Sequence, residues 1–264
     1  MTSRFSRPRL IDESDRQYRA FVAQIMLSKD NHRAIRAPRA RDLFGGEVEE
    51  ALRSWLSQSY LLSERRIVEY LEHRGRSAIT KYRELDAVVF EDPKRIHVFE
   101  IKASQKATSL RRAIRQLHDT REILNRLFAR VYTTILLVDT GIPTAEEVAT
   151  LMRAPEAPPE PPATLAEVLT QLPQIQLIES LEQRNPDSEV VNLLCFSVDD
   201  IIKLVGAEQL HLDWDAEDEQ EPLPPEAQQT YYYSTESAGE ATADNPMAEA
   251  LKRALADHQD PPLS

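Results

Sequence analysis

With 264 residues, 41% of them hydrophobic, the chain is long enough to bury one good core with additions to it. No apolar run approaches the length of about 18 residues that a membrane span needs. The basic start (Arg4, Arg7, Arg9) lacks the apolar stretch of a signal peptide, and a single cysteine, Cys195, excludes an intrachain disulfide, so a cytoplasmic protein without membrane contact is expected.

The net charge of −12 is unevenly placed. Residues 1–41 carry ten Lys/Arg against four acids, and residues 1–40 read as a basic N-terminal helical segment. Over the next stretch Val48, Leu52, Trp55, Leu56 and Tyr60 recur with a helical period. Glu49 borders that apolar stripe, Glu50 projects to the opposite side, and Glu47 lies well off it. Residues 67–71 form a strand candidate.

Two apolar, β-branched runs follow, 83–90 and 96–102, around a turn built on Asp92-Pro93, which predicts a β-hairpin. With the turn centred on Pro93, Asp86 and Glu100 are equally distant from it and face each other across the ladder. Lys102 lies two residues beyond Glu100 and shares its face. Like charges set opposite each other destabilise a sheet unless a cation sits between them. An exposed hairpin with a surface ion pair would also account for the charges. However, the run 96–101 is apolar on both faces, as a covered central strand is. Two converging carboxylates beside a lysine suit Mg²⁺ (or Mn²⁺), which takes one or two carboxylates and fills its shell with waters and substrate phosphates. There the lysine can orient a water or neutralise a phosphate.

Residues 107–130 read as a helix through Leu110, Ile114, Leu117, Leu124 and Leu127, and 131–138 as a strongly apolar strand. Helices are expected over 144–152, 164–172 and 198–205, with strands over 175–178 and 190–196. The Pro- and Glu-rich stretch 154–162 reads as an exposed connector. Cys195, within the last of these strands, reads as a small buried hydrophobe and not as a nucleophile. Residues 213–264 hold 13 acids and two bases and read as a disordered acidic tail. Within that tail, residues 245–255 carry an amphipathic helix pattern with an Asn-Pro start.

Asp86 with Glu100-Ile101-Lys102, led in by Arg83-Glu84-Leu85, resembles the signature of the restriction-endonuclease-like, or PD-(D/E)XK, nuclease superfamily; Leu85 stands where the family's name has proline. The resemblance runs from the Glu49 helix to Asp139. It implies an α/β fold: a restriction-endonuclease-like core, a central mixed sheet flanked by helices, over residues 41–140. Residues 141–212 would elaborate that core. The resemblance also implies that Glu49, in the setting Gly45–Leu52–Leu56, completes the metal shell. Gln116, in Ala113-Ile114-Arg115-Gln116-Leu117, would position Lys102 or the scissile phosphate. Ser104, Lys106, Arg111, Arg112 and Arg115 would face nucleic acid. The expectation is a Mg²⁺-dependent DNA endonuclease with Asp86, Glu100, Lys102, Glu49 and Gln116 as its catalytic group. The alternative is a nucleic-acid-binding or assembly subunit on the same fold that needs a partner to cut. A homodimer, or a protein partner engaged through the tail, is left open.

Overall fold

Strand pairing sets the architecture of this chain, for which a computed structural model describes residues 4–32, 40–75, 77–155 and 157–212. In chain order, β1 (Phe5–Ile11), α1 (Arg16–His32) and α2 (Ala40–Ser57) come first. Four strands follow: β2 (Ile67–Arg74), β3 (Ser77–Glu84), β4 (Ala87–Asp92) and β5 (Arg95–Ser104). Then come α3 (Ser109–Leu124), β6 (Arg130–Asp139), α4 (Ala145–Leu151) and α5 (Leu165–Thr170). The described part closes with β7 (Ile175–Ile178), β8 (Val191–Ser197) and α6 (Val198–Val205).

These strands make two sheets: an antiparallel three-stranded one in the order β1-β2-β3, and a mixed five-stranded one in the order β4-β5-β6-β8-β7. In the larger sheet β4 and β5 are antiparallel while β5, β6, β8 and β7 run parallel. Parallel neighbours need crossover connections, and α3 supplies the one between β5 and β6.

Apolar residues on both faces of β5 are covered as the continuous run requires. Ile96 and Val98 join Leu110, Ala113 and Leu117 of α3 in one core. Phe99 and Ile101 join Val48, Leu52 and Leu56 of α2, and Ile201 of α6, in a second. A smaller core gathers Ile11, Ile67, Tyr18 and Phe21, with α1 lying against the smaller sheet. The molecule is therefore a mixed α/β protein whose central mixed sheet is flanked by helices. No helix among the described residues is long and apolar enough to cross a membrane.

Three departures from the sequence reading follow from long-range pairing. The basic N-terminal segment carries the helix α1 but opens as a strand: Phe5 pairs with Glu72 and Ile11 with Ile67, so β1 finds its partner far along the chain. The strand read at 67–71 extends to Arg74 and turns back through Gly75, at φ +63°, into β3, whose polar sequence gave no strand signal. The single run 83–90 is two strands. The chain leaves the smaller sheet after Glu84, where Leu85 N–H donates to Arg66 O at 2.8 Å, and enters the larger one at Ala87. Asp86 sits at that crossing.

The C-terminal additions extend the same sheet, β8 pairing with β6 from Thr133↔Val191 to Asp139↔Ser197. Thr144, Thr164 and Ser197 cap α4, α5 and α6 through reciprocal capping boxes, which fixes where those helices start. The helix read at 107–130 stops at Leu124. The disordered character read for residues 213–264, and the helix pattern within them, lie outside the described residues.

Candidate functional site

The hairpin register matches the turn centred on Pro93: Ala87 pairs with Phe99, Val88 with Val98 and Val89 with His97. Asp86 thus follows on opposite Glu100. Because Ile96 and Val98 face α3, the period of two turns Glu100 and Lys102 toward α3 as well. Glu100 is buried, and Lys102 Nζ lies 2.7 Å from its Oε1. Asp86 is half-buried, and its Oδ2 accepts a hydrogen bond from Ile101 N–H at 2.6 Å.

The electrostatics of the group are under tension. Burial and then the Glu100 charge push the Asp86 carboxyl well above the usual carboxylate range; Lys102 and the Ile101 N–H pull it back only in part, and Glu49 adds to the rise. Burial works against the Lys102 ammonium, but Glu100 and Asp86 outweigh it and lift its pKa, with Arg112 subtracting from the effect. With both carboxylates ionised the cluster carries more negative charge than Lys102 alone neutralises, and its donors are hard oxygens. That donor set fits a small divalent cation.

Glu49, on α2, is close enough for its charge to bear on Asp86 while its own carboxylate reaches Arg53 at 4.0 Å. The oxygens of Asp86, Glu100 and Glu49 do not close to within 4.8 Å of one another. Among the described residues the group that does is His118, Asp119 and Glu122, toward the outside of α3. There Asp119 already faces Arg4 at 3.5 Å and Arg83 at 3.6 Å.

Gln116 is buried on the inner side of α3. Its main-chain oxygen accepts from Arg83 Nη1 and from Thr120 Oγ1, each at 2.8 Å. Arg83, also hydrogen-bonded to Thr120 Oγ1, ties α3 to β3, which ends two residues before Asp86. No local pattern marks this role of Arg83, the first residue of the Arg83-Glu84-Leu85-Asp86 lead-in, because it depends on α3 packing beside β3.

Of the residues expected to face nucleic acid, Lys106 and Arg115 are exposed, and Arg112 is half-buried with its charge bearing on Lys102. Ser104 forms the turn into α3, its Oγ donating to Lys106 O and accepting from Lys106 N–H. Arg111 is engaged with Gln171 near the end of α5. The N-terminal positive charge is partly neutralised internally: Arg4 pairs with Glu72 and Asp119, and Arg9 with Glu69 and Asp15. Cys195 is half-buried, its thiol pushed up to about 11 by burial and then by Asp139, which suits an inert side chain.

Compared with known proteins, the chain matches no family model, no curated protein and no solved structure.

Proposed function

We propose that the protein is a metal-dependent phosphodiester hydrolase on a restriction-endonuclease-like fold, with DNA as its substrate and the cytoplasm as its place of action. One observation carries this reading: a half-buried carboxylate, Asp86, opposes a second, Glu100, beside a lysine, at the point where the chain crosses between two sheets. Two carboxylates brought together in a partly buried place either keep a proton between them or take up a cation, and a divalent cation lets both ionise. Asp86 and Glu100 would hold Mg²⁺ or Mn²⁺, with Glu49 of α2, whose charge already bears on Asp86, completing the shell through a bound water. The ion supplies charge stabilisation at the scissile phosphate and a more acidic water. Lys102 keeps its charge in this setting and can orient the attacking water or offset the developing charge on the phosphate. Lys106 and Arg115 are exposed and the Arg112 charge bears on Lys102, a set of bases that would suit a polyanion such as nucleic acid.

The test is a cleavage assay on duplex DNA, single-stranded DNA and RNA with Mg²⁺ or Mn²⁺, against EDTA. Wild type should cut only with metal. Asp86→Asn, Glu100→Gln and Lys102→Ala should each lose turnover by about a hundredfold or more, while Lys102→Ala keeps much of its DNA affinity. Full activity in EDTA or in the amide variants would refute the mechanism. Binding without cutting until a partner protein is added would favour an assembly subunit instead.

A further inference from the structure

On the opposite face of the larger sheet from Glu100 and Lys102, a cavity of about 460 Å³ opens between the C-terminal half of α2, the turn at 179–182, the end of β8 and α6. Its walls are apolar: Trp55 and Phe196 meet edge to face at 5.2 Å, Leu194 lies beneath, and Leu204 is 39% exposed. The rim is acidic, with Glu179, Glu182 and Asp200 against a single Lys203. An apolar slot with an acidic rim suits a short amphipathic helix that carries bases beside its apolar face.

The chain itself contains such a segment. In helical spacing Met247, Leu251 and Leu255 share one face with Ala248, Ala250 and Ala254, while Lys252 and Arg253 flank it. Lys252 and Arg253 are the only bases among residues 213–264, which otherwise hold 13 acids. The described chain also ends on this side of the molecule. Leu210 and Leu212 belong to the apolar cluster that lines the cavity, and His211 N–H donates to Glu47 Oε2 of α2 at 2.7 Å. The 34 residues from 213 to 246 can span as much as about 110 Å, against a radius of gyration of about 17 Å for a domain of this size. Reach therefore does not limit the contact.

We propose that this groove is a docking site for the chain's own residues 247–255, seated with Met247, Leu251 and Leu255 against Trp55, Phe196 and Leu204, and with Lys252 and Arg253 at the acidic rim. The arrangement does not depend on the nuclease reading. Tethering gives the segment an effective concentration on the order of 1 mM, so an intrinsic affinity of only about 0.1 mM keeps it seated roughly nine-tenths of the time.

The test uses the full-length chain with Trp214→Phe, which leaves Trp55 as the only tryptophan. Acrylamide quenching of Trp55 should be several-fold weaker in this protein than in the same protein with Leu251→Asp and Leu255→Asp, whose melting profile checks that the core is intact. Photo-leucine in place of Leu251 should crosslink to residues 55–60 or 194–204 of the same chain, judged with a mixture of isotope-labelled and unlabelled protein. Equal quenching, or crosslinks that map elsewhere, would overturn the proposal. Crosslinks that join labelled to unlabelled chains would assign the groove to a second copy and overturn docking within one chain.

Discussion

Replacing Asp86 with Asn should make the protein in EDTA more stable, by an amount that grows with pH. Burial and Glu100 raise the Asp86 pKa in the folded state, so the folded protein holds that proton more tightly than the unfolded chain does. As pH rises through the ordinary aspartate value of about 3.9, the unfolded chain releases the proton while the folded one resists. Wild-type stability therefore falls with rising pH until the folded-state pKa is passed, whereas Asn has no proton to lose. Each pH unit over which the two states differ by one proton is worth about 1.4 kcal/mol. Roughly two such units already separate the proteins by about 3 kcal/mol, a melting difference of about 6–12 °C for a domain of this size. The geometry survives, because Asn Oδ1 can still accept from Ile101 N–H, now 2.6 Å from Asp86 Oδ2. The assay is thermal unfolding of both proteins between about pH 4 and pH 9 in EDTA, then with Mn²⁺. Wild type should gain with saturating Mn²⁺, by about 2.7 kcal/mol at a hundredfold excess over its dissociation constant, and Asn should not. An Asn variant less stable than wild type at the alkaline end, or a difference that does not change with pH, would refute the reasoning.

Two further predictions concern groups outside the site. Glu72 is 4% exposed and held by Lys81 at 2.7 Å, Arg4 at 2.9 Å and Arg74 at 3.2 Å. Burial opposes its ionisation, but the hydrogen bonds from Lys81 and Arg4 outweigh that and bring it down to about 2. Its contribution is therefore present above the ordinary glutamate range and lost as pH falls toward about 2. Glu72→Gln should cost about 3 kcal/mol at neutral pH in urea unfolding, because Lys81 is left buried without its carboxylate; a loss that persists undiminished near pH 2 would contradict this. His97, buried and stacked on Phe99 at 4.0 Å, is pushed down to about 3 by burial and then by Arg184. Arg184 Nη1 donates to its Nδ1 at 3.1 Å, so Nε2 carries the proton and donates to Thr134 Oγ1 at 2.7 Å. Its neutral form supports the fold above the ordinary histidine range of about 6.5, and that support is lost as pH falls. Imidazole NMR should show His97 neutral at pH 5, and a titration near pH 6.5 would refute it.

What the sequence by itself determined is local in origin. A turn at Pro93 sets the register of the flanking strands, and register together with the two-residue period put Asp86 opposite Glu100 and Lys102 on its face. Helix starts at 144, 164 and 198 were equally legible, because capping residues and hydrophobic period act within a few positions of each other. Tertiary structure alone decided the rest. The segment around Phe5 has no strand pattern of its own and becomes one by pairing with Glu72, and polar β3 is a strand because β2 offers it an edge. The N-terminal arginines looked like a free basic flank until folding set Arg4 against Glu72 and Arg9 against Glu69. The raised pKa of Asp86 likewise belongs to no local pattern. It arises because the crossing between sheets takes water from a carboxylate already facing Glu100 and within reach of Glu49, and desolvation is a property of everything packed around a group, not of its neighbours in the chain.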